Sequence, residues 1–252
     1  MSNETELTSE DYAYRLPDHW LLPEDSIWTQ MHHAYVGRVV ELVKASQARR
    51  VLELGCGDGW NCGKLAEAGL DVVGVDWSHN AIEHARRMVP KGRFICGDVR
   101  DPAIAAQIDG PFDAVVFIEV IEHIPPRDCR DALDLIARQL KPGGTLVLTT
   151  PSVNFPNDNP QHYRHFDEAT LRDLIDARSG FRIEHIEGYG DVPAADRYHR
   201  VARWIDNRYW VIKPARRWLQ ARYRRQIGKP TQQQRCHGFI VVAHRLERVA
   251  TD

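Results

Sequence analysis

The sequence predicts an α/β fold built on a parallel sheet with helices on both faces, and three observations carry that reading. From Arg50 onward, short runs rich in Val and Ile alternate with segments of helical period. The 252 residues, 43% hydrophobic and 27% charged, suffice for one sizeable core and are too few for several. Gly55, Gly57 and Gly59 occupy alternate positions where the first apolar run gives way to the first helical segment, as a tight strand-to-helix turn requires.

Taken in order, a first strand covers 51–54 and a helix 60–68. A second strand covers 72–75, after which Ser78 or Asn80 caps a helix that turns Ile82, Ala85 and Met88 to one side. Strands follow at 94–96 and 112–120, then a helix over 128–140 with Leu133, Ile136 and Leu140 inward. Lys141-Pro-Gly-Gly144 reads as a turn before a fifth strand at 145–149. The rhythm then changes: a loop over 151–165 punctuated by Pro156 and Pro160, a helix over 167–177, a strand over 181–186 and a last strand over 239–243. Residues 191–235 form an insertion too short and too charged for a core of its own. The first 45 residues also stand outside the repeat, with Trp20, Trp28, Met31, Tyr35, Val39 and Leu42 marking an amphipathic helix. The expected organisation is an N-terminal segment, 1–45, and one domain, 46–252, carrying the insertion.

Composition excludes several classes. With 33 Lys+Arg against 35 Asp+Glu, the formal charge of −2 supplies no global field for nucleic acid or acidic surfaces, so such contacts have to be local. The longest apolar runs, such as 114–118 and 239–243, fall far short of the roughly 20 residues that cross a bilayer. The start, MSNETELTSEDY, is acidic and has neither the basic nor the apolar region of a secretory signal. The five cysteines are scattered without a C-x-x-C pair, which favours free thiols in a reduced cytoplasmic setting over a disulfide framework or zinc knuckle.

The candidate chemistry begins at the glycine turn. A lone G-x-G-x-G is a weak signal whose plain alternative is a tight turn. Downstream, Asp76 ends the second strand, where doubly wound sheets place a carboxylate on ribose hydroxyls. Trp77 offers a ring to stack on adenine, and Asp98 with the Val99 N–H stands ready to read the adenine edge.

With these residues in place, the sequence resembles the class I S-adenosylmethionine-dependent methyltransferases. The matching segments are 51–59, with Glu53 leading the glycine loop, Val73-Gly-Val-Asp76, Gly97-Asp98, 112–119 and Leu140-Lys-Pro-Gly-Gly144. A nicotinamide dehydrogenase is the weaker reading, because the loop is not G-x-G-x-x-G. The resemblance implies a Rossmann-like, seven-stranded, doubly wound sheet with its last strand antiparallel, and an N-terminal helical lid. It further implies that Gly55, Gly57 and Gly59 cradle the methionine part of S-adenosyl-L-methionine. Asp76 then holds the ribose, Trp77 and Val99 the adenine and Asp98 its amino group, while Glu53 orders the loop or meets the methionine ammonium through water.

A narrower resemblance lies in Ile118-Glu-Val-Ile-Glu-His-Ile124. Its E-x-x-E-H is similar to the ubiquinone-pathway O-methyltransferases and to the 2′-O-methyltransferases acting on small-RNA 3′ ends. It implies that Glu119, Glu122 and His123, with His162 or His165 from the loop after the fifth strand, hold a divalent metal ion beside the acceptor hydroxyl. Two alternatives stand beside that one: His123 serves alone as general base, or Glu122 only caps a helix or orients His123. The expected reaction is O-methylation of a hydroxyl on a glycan, a lipid-linked or a quinone-like small molecule. RNA 2′-O-methylation and a non-catalytic cofactor-binding regulator are the alternatives. His32 and His33 are neighbours on a helix, so one at most faces the site, and surface histidines are the simpler reading.

The insertion 191–235 holds twelve Lys and Arg against three Asp. Trp204, Ile205, Tyr209 and Ile212, then Trp218, Leu219 and Tyr223, recur at helical spacing, which predicts two amphipathic helices broken at Pro214. Such helices serve as a solvated pair on the sheet edge, as a membrane-surface contact that makes the protein peripheral, or as a site for anionic ligands, with nucleic acid the least favoured.

Overall fold

The alternating pattern closes into a seven-stranded sheet in a computed structural model that describes residues 14–24, 26–156, 158–175, 179–205, 211–227 and 229–247. In chain order the elements are α1 (Asp18–Leu21), α2 (Ile27–Ala45), β1 (Arg50–Leu54), α3 (Trp60–Glu67), β2 (Asp71–Asp76), α4 (His79–Met88), β3 (Arg93–Cys96), α5 (Pro102–Ala105) and β4 (Phe112–Ile118). A 3₁₀ turn (Ile121–His123) follows, then α6 (Cys129–Gln139), β5 (Leu140–Pro151), α7 (Glu168–Leu174), β6 (Phe181–Tyr189), α8 (Val192–Ile205), α9 (Lys213–Ile227) and β7 (Gly238–Arg245). The strand order is β3-β2-β1-β4-β5-β7-β6. Strands β1 to β5 run parallel, while β7 lies antiparallel between β5 and β6.

The central strands are buried on both faces, and their period of two sorts side chains into two cores. Leu52, Val115 and Leu148 join Leu133 and Ile136 of α6 on one side. Val51, Val116 and Val147 join Val39 and Val43 of α2 and Ile82 of α4 on the other. Because β2 and β4 flank β1 on opposite sides, the strand order reverses between β1 and β4. The carboxyl ends of that pair border the crevice where open sheets bind ligands.

Several boundaries differ from expectation for identifiable reasons. Strand β4 stops at Ile118 rather than 120, because Glu119 takes φ 52° and turns the chain out of the sheet. Lys141-Pro-Gly-Gly144 is not a separate turn but an irregularity inside β5. Pairing jumps there from Phe112 with Leu140 to Ala114 with Thr145, and Lys141 Nζ is anchored on Asp113 at 2.6 Å. Ser78 caps α4 by accepting the Ala81 N–H, and Ile82 and Ala85 are buried, but Met88 in the last turn is 41% exposed. Asp167 caps α7, which ends at Leu174; the expected end at Ala177 lies outside the described residues, as do Arg208, Tyr209 and the acidic start over 1–12.

Pro214 does not break the basic helices. It sits in the first turn of α9, where a missing N–H costs no helical bond, and α8 has already ended at Ile205.

The N-terminal helices meet the strand-to-helix turn after β1. The His19 N–H and imidazole reach both oxygens of Asp58, at 2.9 and 3.2 Å, and Trp20 Nε1 donates to the Asp58 carbonyl at 3.1 Å. In α2 the expected apolar stripe splits: Met31 and Val39 are buried, while Trp28 is 48% exposed on another face. His32 and His33 do not diverge to different surroundings. Both rings pack on Trp60, His33 stacked at 4.6 Å and His32 tilted at 4.8 Å, because the broad indole spans positions 100° apart on a helix.

Burial and the neighbouring His19 and His33 push the His32 pKa down to about 3. The unfolded chain takes up a proton below about 6.5 that the folded chain refuses, so His32 supports the fold above that pH and the support is lost as pH falls. Unfolding in urea should therefore lose about 2 kcal/mol of stability through this one group between pH 7 and pH 5. His32→Gln should lose correspondingly less across the same interval, and an unchanged acid sensitivity would reject the assignment.

Candidate active site

The turn after β1 is built from backbone in conformations that side chains avoid. Gly55, Gly57 and Gly59 take φ of 73°, 51° and 78°. A Cβ on Gly59 would lie 2.7 Å from the Ala85 Cβ and 2.9 Å from its Cα, so α4 packs directly on the turn. A Cβ on Gly55 would lie 2.5 Å from a Val120 methyl, so the same turn touches the chain just beyond β4.

Asp76 at the end of β2 sets this shape. One carboxylate oxygen accepts the Gly57 N–H at 2.8 Å and the other the Ser78 N–H at 2.9 Å. Glu53 is fully buried beneath the turn, where Asn61 Nδ2 and the Cys62 thiol donate to it at 3.0 and 2.9 Å. Burial pushes its pKa up to about 7. Trp77 is 53% exposed, and Val99 is partly buried. Asp98 is not an open carboxylate: Arg100 grips both of its oxygens, with Nε at 2.9 Å from one, and holds its pKa below the usual range.

Across the crevice, the left-handed Glu119 donates its N–H to the Thr149 carbonyl at 3.1 Å. Its Oε1 accepts from Thr149 Oγ1 at 2.7 Å and from the Tyr189 hydroxyl at 3.0 Å. Glu122 is 1% exposed; its Oε2 accepts from Thr150 Oγ1 at 3.2 Å, while Oε1 has no hydrogen-bond partner among the described residues. Burial raises both pKa values, and the charge of Glu119 raises that of Glu122 further.

One ligand atom each from Glu122, His123 and His162 lie within 4.8 Å of one another. The rings of His123 and His162 meet edge to face at 4.6 Å. Burial and the adjacent His123 and His165 push the His162 pKa down to about 4. Of the expected set, Glu119 stands outside this triad, and of the alternatives His162 and His165 it is His162 that joins it. Glu119 is occupied by two hydroxyls, and His165 shares a 3.0 Å contact with His162 while its other nitrogen meets the Phe155 carbonyl. The Tyr163 N–H, donating to the Glu122 carbonyl at 2.8 Å, ties the long loop to the 3₁₀ turn.

Four residues join the site that spacing did not reveal. Tyr14 lays its hydroxyl against the turn, 2.6 Å from where a Gly57 Cβ would stand, and burial followed by the charge of Asp76 raises its pKa. His19 braces Asp58, and Tyr189 ends β6 against Glu119. His237 directly precedes β7; neither ring nitrogen has a hydrogen-bond partner among the described residues, and Phe155, Trp28 and Tyr189 surround it at 4.0, 5.6 and 5.9 Å between centroids. Burial pushes its pKa down to about 4. A signal for His237 was present, since the first residues of an antiparallel last strand must return to the carboxyl edge of its parallel neighbours.

A doubly wound sheet with a glycine turn after β1, an acid ending β2 and another just past β4 is the arrangement of nucleotide-cofactor-binding folds. The family model described as a methyltransferase domain matches residues 27–186, and the chain belongs to that family. It is 29% identical over 173 residues to a probable S-adenosylmethionine-dependent methyltransferase of Mycolicibacterium smegmatis, covering 66% of this chain and 64% of that protein. It is 31% identical over 127 residues to the ubiquinone biosynthesis O-methyltransferase of Alkalilimnicola ehrlichii, covering 50% of this chain and 49% of that one. The chain thus spans between about half and two thirds of the length of these curated relatives. Magnesium protoporphyrin IX methyltransferase from Synechocystis, solved with bound S-adenosylmethionine, shares the fold at a TM-score of 0.59 and 19% identity, over 97% of this chain and all of that one.

Gly59→Ala should destabilise the protein by about 3 kcal/mol, combining left-handed strain with the collision against α4. Gly69 provides the control, having φ 89° and no atom within 4 Å of an added Cβ. Gly69→Ala should cost about 1 to 2 kcal/mol from strain alone. Equal losses in urea unfolding would show that α4 does not press on the turn.

Proposed function

We propose that this methyltransferase-family protein transfers the methyl group of S-adenosyl-L-methionine to a hydroxyl of a glycan, a lipid-linked or a quinone-like small molecule. The observation that carries the reading is the contact between Gly55 and Val120. It sets the glycine turn beside Glu119, and with it the Glu122, His123 and His162 triad, across one crevice.

S-adenosylmethionine, when bound, supplies a methyl group made electrophilic by a positively charged sulfonium. In this reading Asp76, whose two oxygens accept the Gly57 and Ser78 N–H groups, also accepts from the ribose hydroxyls, as acids at this position do in doubly wound sheets. Trp77 and Val99 offer apolar contacts for the adenine, and Asp98 reaches its amino group only by sharing its oxygens with Arg100. The turn Gly55 to Gly59 presents backbone to the methionine end, with Tyr14 as its outer wall and Glu53 ordering the loop from beneath. The N-terminal segment carrying Tyr14, His19 and Trp20 acts as the lid.

On the acceptor side, a hydroxyl becomes nucleophilic when its proton is removed, and His123 is placed to take it. The buried Glu119 and Glu122 favour positive charge beside that imidazole. The triad also fits a divalent metal ion, because one carboxylate oxygen and two imidazole nitrogens converge and Glu122 Oε1 has no hydrogen-bond partner among the described residues. Such a mixed set suits Mn²⁺, Zn²⁺ or Fe²⁺ at least as well as Mg²⁺, and the ion would lower the pKa of the hydroxyl. In this arrangement Glu119 and His165 support the triad rather than complete it.

Asp76→Ala should weaken S-adenosylhomocysteine binding by about 1 to 3 kcal/mol, read by calorimetry, through loss of charge-assisted hydrogen bonds. Wild-type protein giving no heat with the cofactor or its product would overturn the proposal.

His123→Ala should leave cofactor affinity nearly intact while turnover of a hydroxyl acceptor falls about 10²-fold or more. Dialysis against a chelator separates the two versions. Activity that survives it assigns His123 as base without metal, and activity restored by Mn²⁺ or Zn²⁺ assigns the triad as ligands.

A further inference from the structure

The excursion between β6 and β7 is the feature that methyl transfer leaves unexplained. Its twelve cations against three acids give a local charge of +9 on a chain of −2, which leaves −11 on the rest. We propose that α8 and α9 form a docking face for the surface of an anionic lipid bilayer.

The fold sorts this segment into two faces. Leu219, Tyr223 and Ile227, four residues apart on α9, are buried, and the Tyr223 ring packs on Tyr198 of α8 at 5.1 Å. On the outside, Trp218 is 64% and Trp204 76% exposed. In the same segment the aliphatic Val201, Val211 and Ile212 are 46%, 44% and 49% exposed. Arg222 leans over the Trp218 ring at 5.9 Å. Among the described residues no carboxylate lies within ion-pair distance of Arg197, Arg200, Arg222, Arg225 or Lys229, in contrast to Arg235, which is bound to Asp191 at 2.8 Å. A surface groove of about 420 Å³ is lined by Trp218, Ala221, Arg222, Arg225, Gln226 and Lys229. It pairs an apolar wall with three cations, as a phosphate headgroup and the start of its acyl chain require.

The exposed aliphatic residues decide between anionic partners. A nucleic acid offers phosphates to the arginines and bases to the indoles, but nothing to Val201, Val211 and Ile212. A bilayer interface accepts all three kinds of side chain, with indoles and aliphatic groups at the acyl boundary and arginines among the phosphates.

Topology places this face at the site. Strand β6 ends at Tyr189 and β7 begins at Gly238, both on the carboxyl edge, and the Val192 N–H donates to the Arg235 carbonyl at 3.0 Å to close the base of the excursion. Lys229 borders both the outer groove and a narrow crevice lined by Tyr35 and Tyr189, and Tyr189 bonds Glu119. Among the acceptor classes above, this favours the lipid-linked and quinone-like ones. That refinement rests on the methyl-transfer reading, whereas lipid binding does not.

Flotation of the full chain with phosphatidylcholine vesicles, with and without phosphatidylglycerol, tests the proposal at low and high salt. The expected result is flotation only with the anionic vesicles, falling steeply as salt rises, together with a blue shift of tryptophan emission. The double variant Arg222→Glu, Arg225→Glu should lose that binding by at least about tenfold with an unchanged melting temperature. Trp204→Ser with Trp218→Ser should lose the blue shift. No flotation at low salt, equal flotation with neutral vesicles, or filter binding of an RNA oligonucleotide without vesicle binding would each overturn the assignment.

Discussion

The carboxylate of Asp76 is the constraint on which the carboxyl edge depends. A turn with three left-handed glycines has no intrinsic reason to keep one shape, since glycine loses more freedom on folding than any other residue. Asp76 removes that freedom with two charge-assisted bonds, to Gly57 and to Ser78. The first fixes the turn against β2. The second starts α4, whose Ala85 then closes on Gly59. One side chain thereby couples β1, β2 and two helices, and it leaves a floor of bare backbone where a side chain would fill the space.

The opposite wall is organised by electrostatics rather than by turn geometry. Glu119 and Glu122, like Glu53 beneath the turn, are buried acids that resist ionisation, while His162 and His237 are buried bases that resist protonation. Each group alone is costly to bury in its charged form. Together they make a poorly solvated region that disfavours an isolated charge of either sign, so a cation is held there only as a carboxylate ionises to meet it, and Glu122 Oε1, which has no hydrogen-bond partner among the described residues, is the oxygen best placed to do so.

Much of this was legible in the sequence because parallel strands buried on both faces read as nearly unbroken apolar runs. Strands β1 to β5 were visible for that reason, and the start of α4 through the short-range capping chemistry that Ser78 or Asn80 offered. The grip of Arg100 on Asp98, two residues away, was equally local and was overlooked. Features set by distant partners were not visible. Glu119 adopts a left-handed backbone that only its bonds to Thr149 and Tyr189 explain, and Tyr14 reaches Gly57 across 43 positions with no periodicity to announce it. Pro214 misled because proline breaks a helix from within but is harmless in its first turn.

The tie at the base of the β6–β7 excursion bears on how this protein can change over evolutionary time. Asp191 with Arg235, and Val192 with Arg235, close the segment where it leaves the sheet, so the pairing of β7 with β5 and β6 does not depend on what lies between. Closure entropy grows only as the logarithm of length, about 0.6 kcal/mol for each doubling. Chain length at this position can therefore change at little cost in closure entropy, provided that Tyr223 and Ile227 keep their place in the core they share with Val39 and Ile240. The cofactor half of the molecule is held by short-range geometry that tolerates almost no variation, whereas the outer face of this excursion, exposed at Trp204 and Trp218, is free to vary. New surfaces, and through them new acceptors, can be acquired by insertion rather than by rebuilding the catalytic edge.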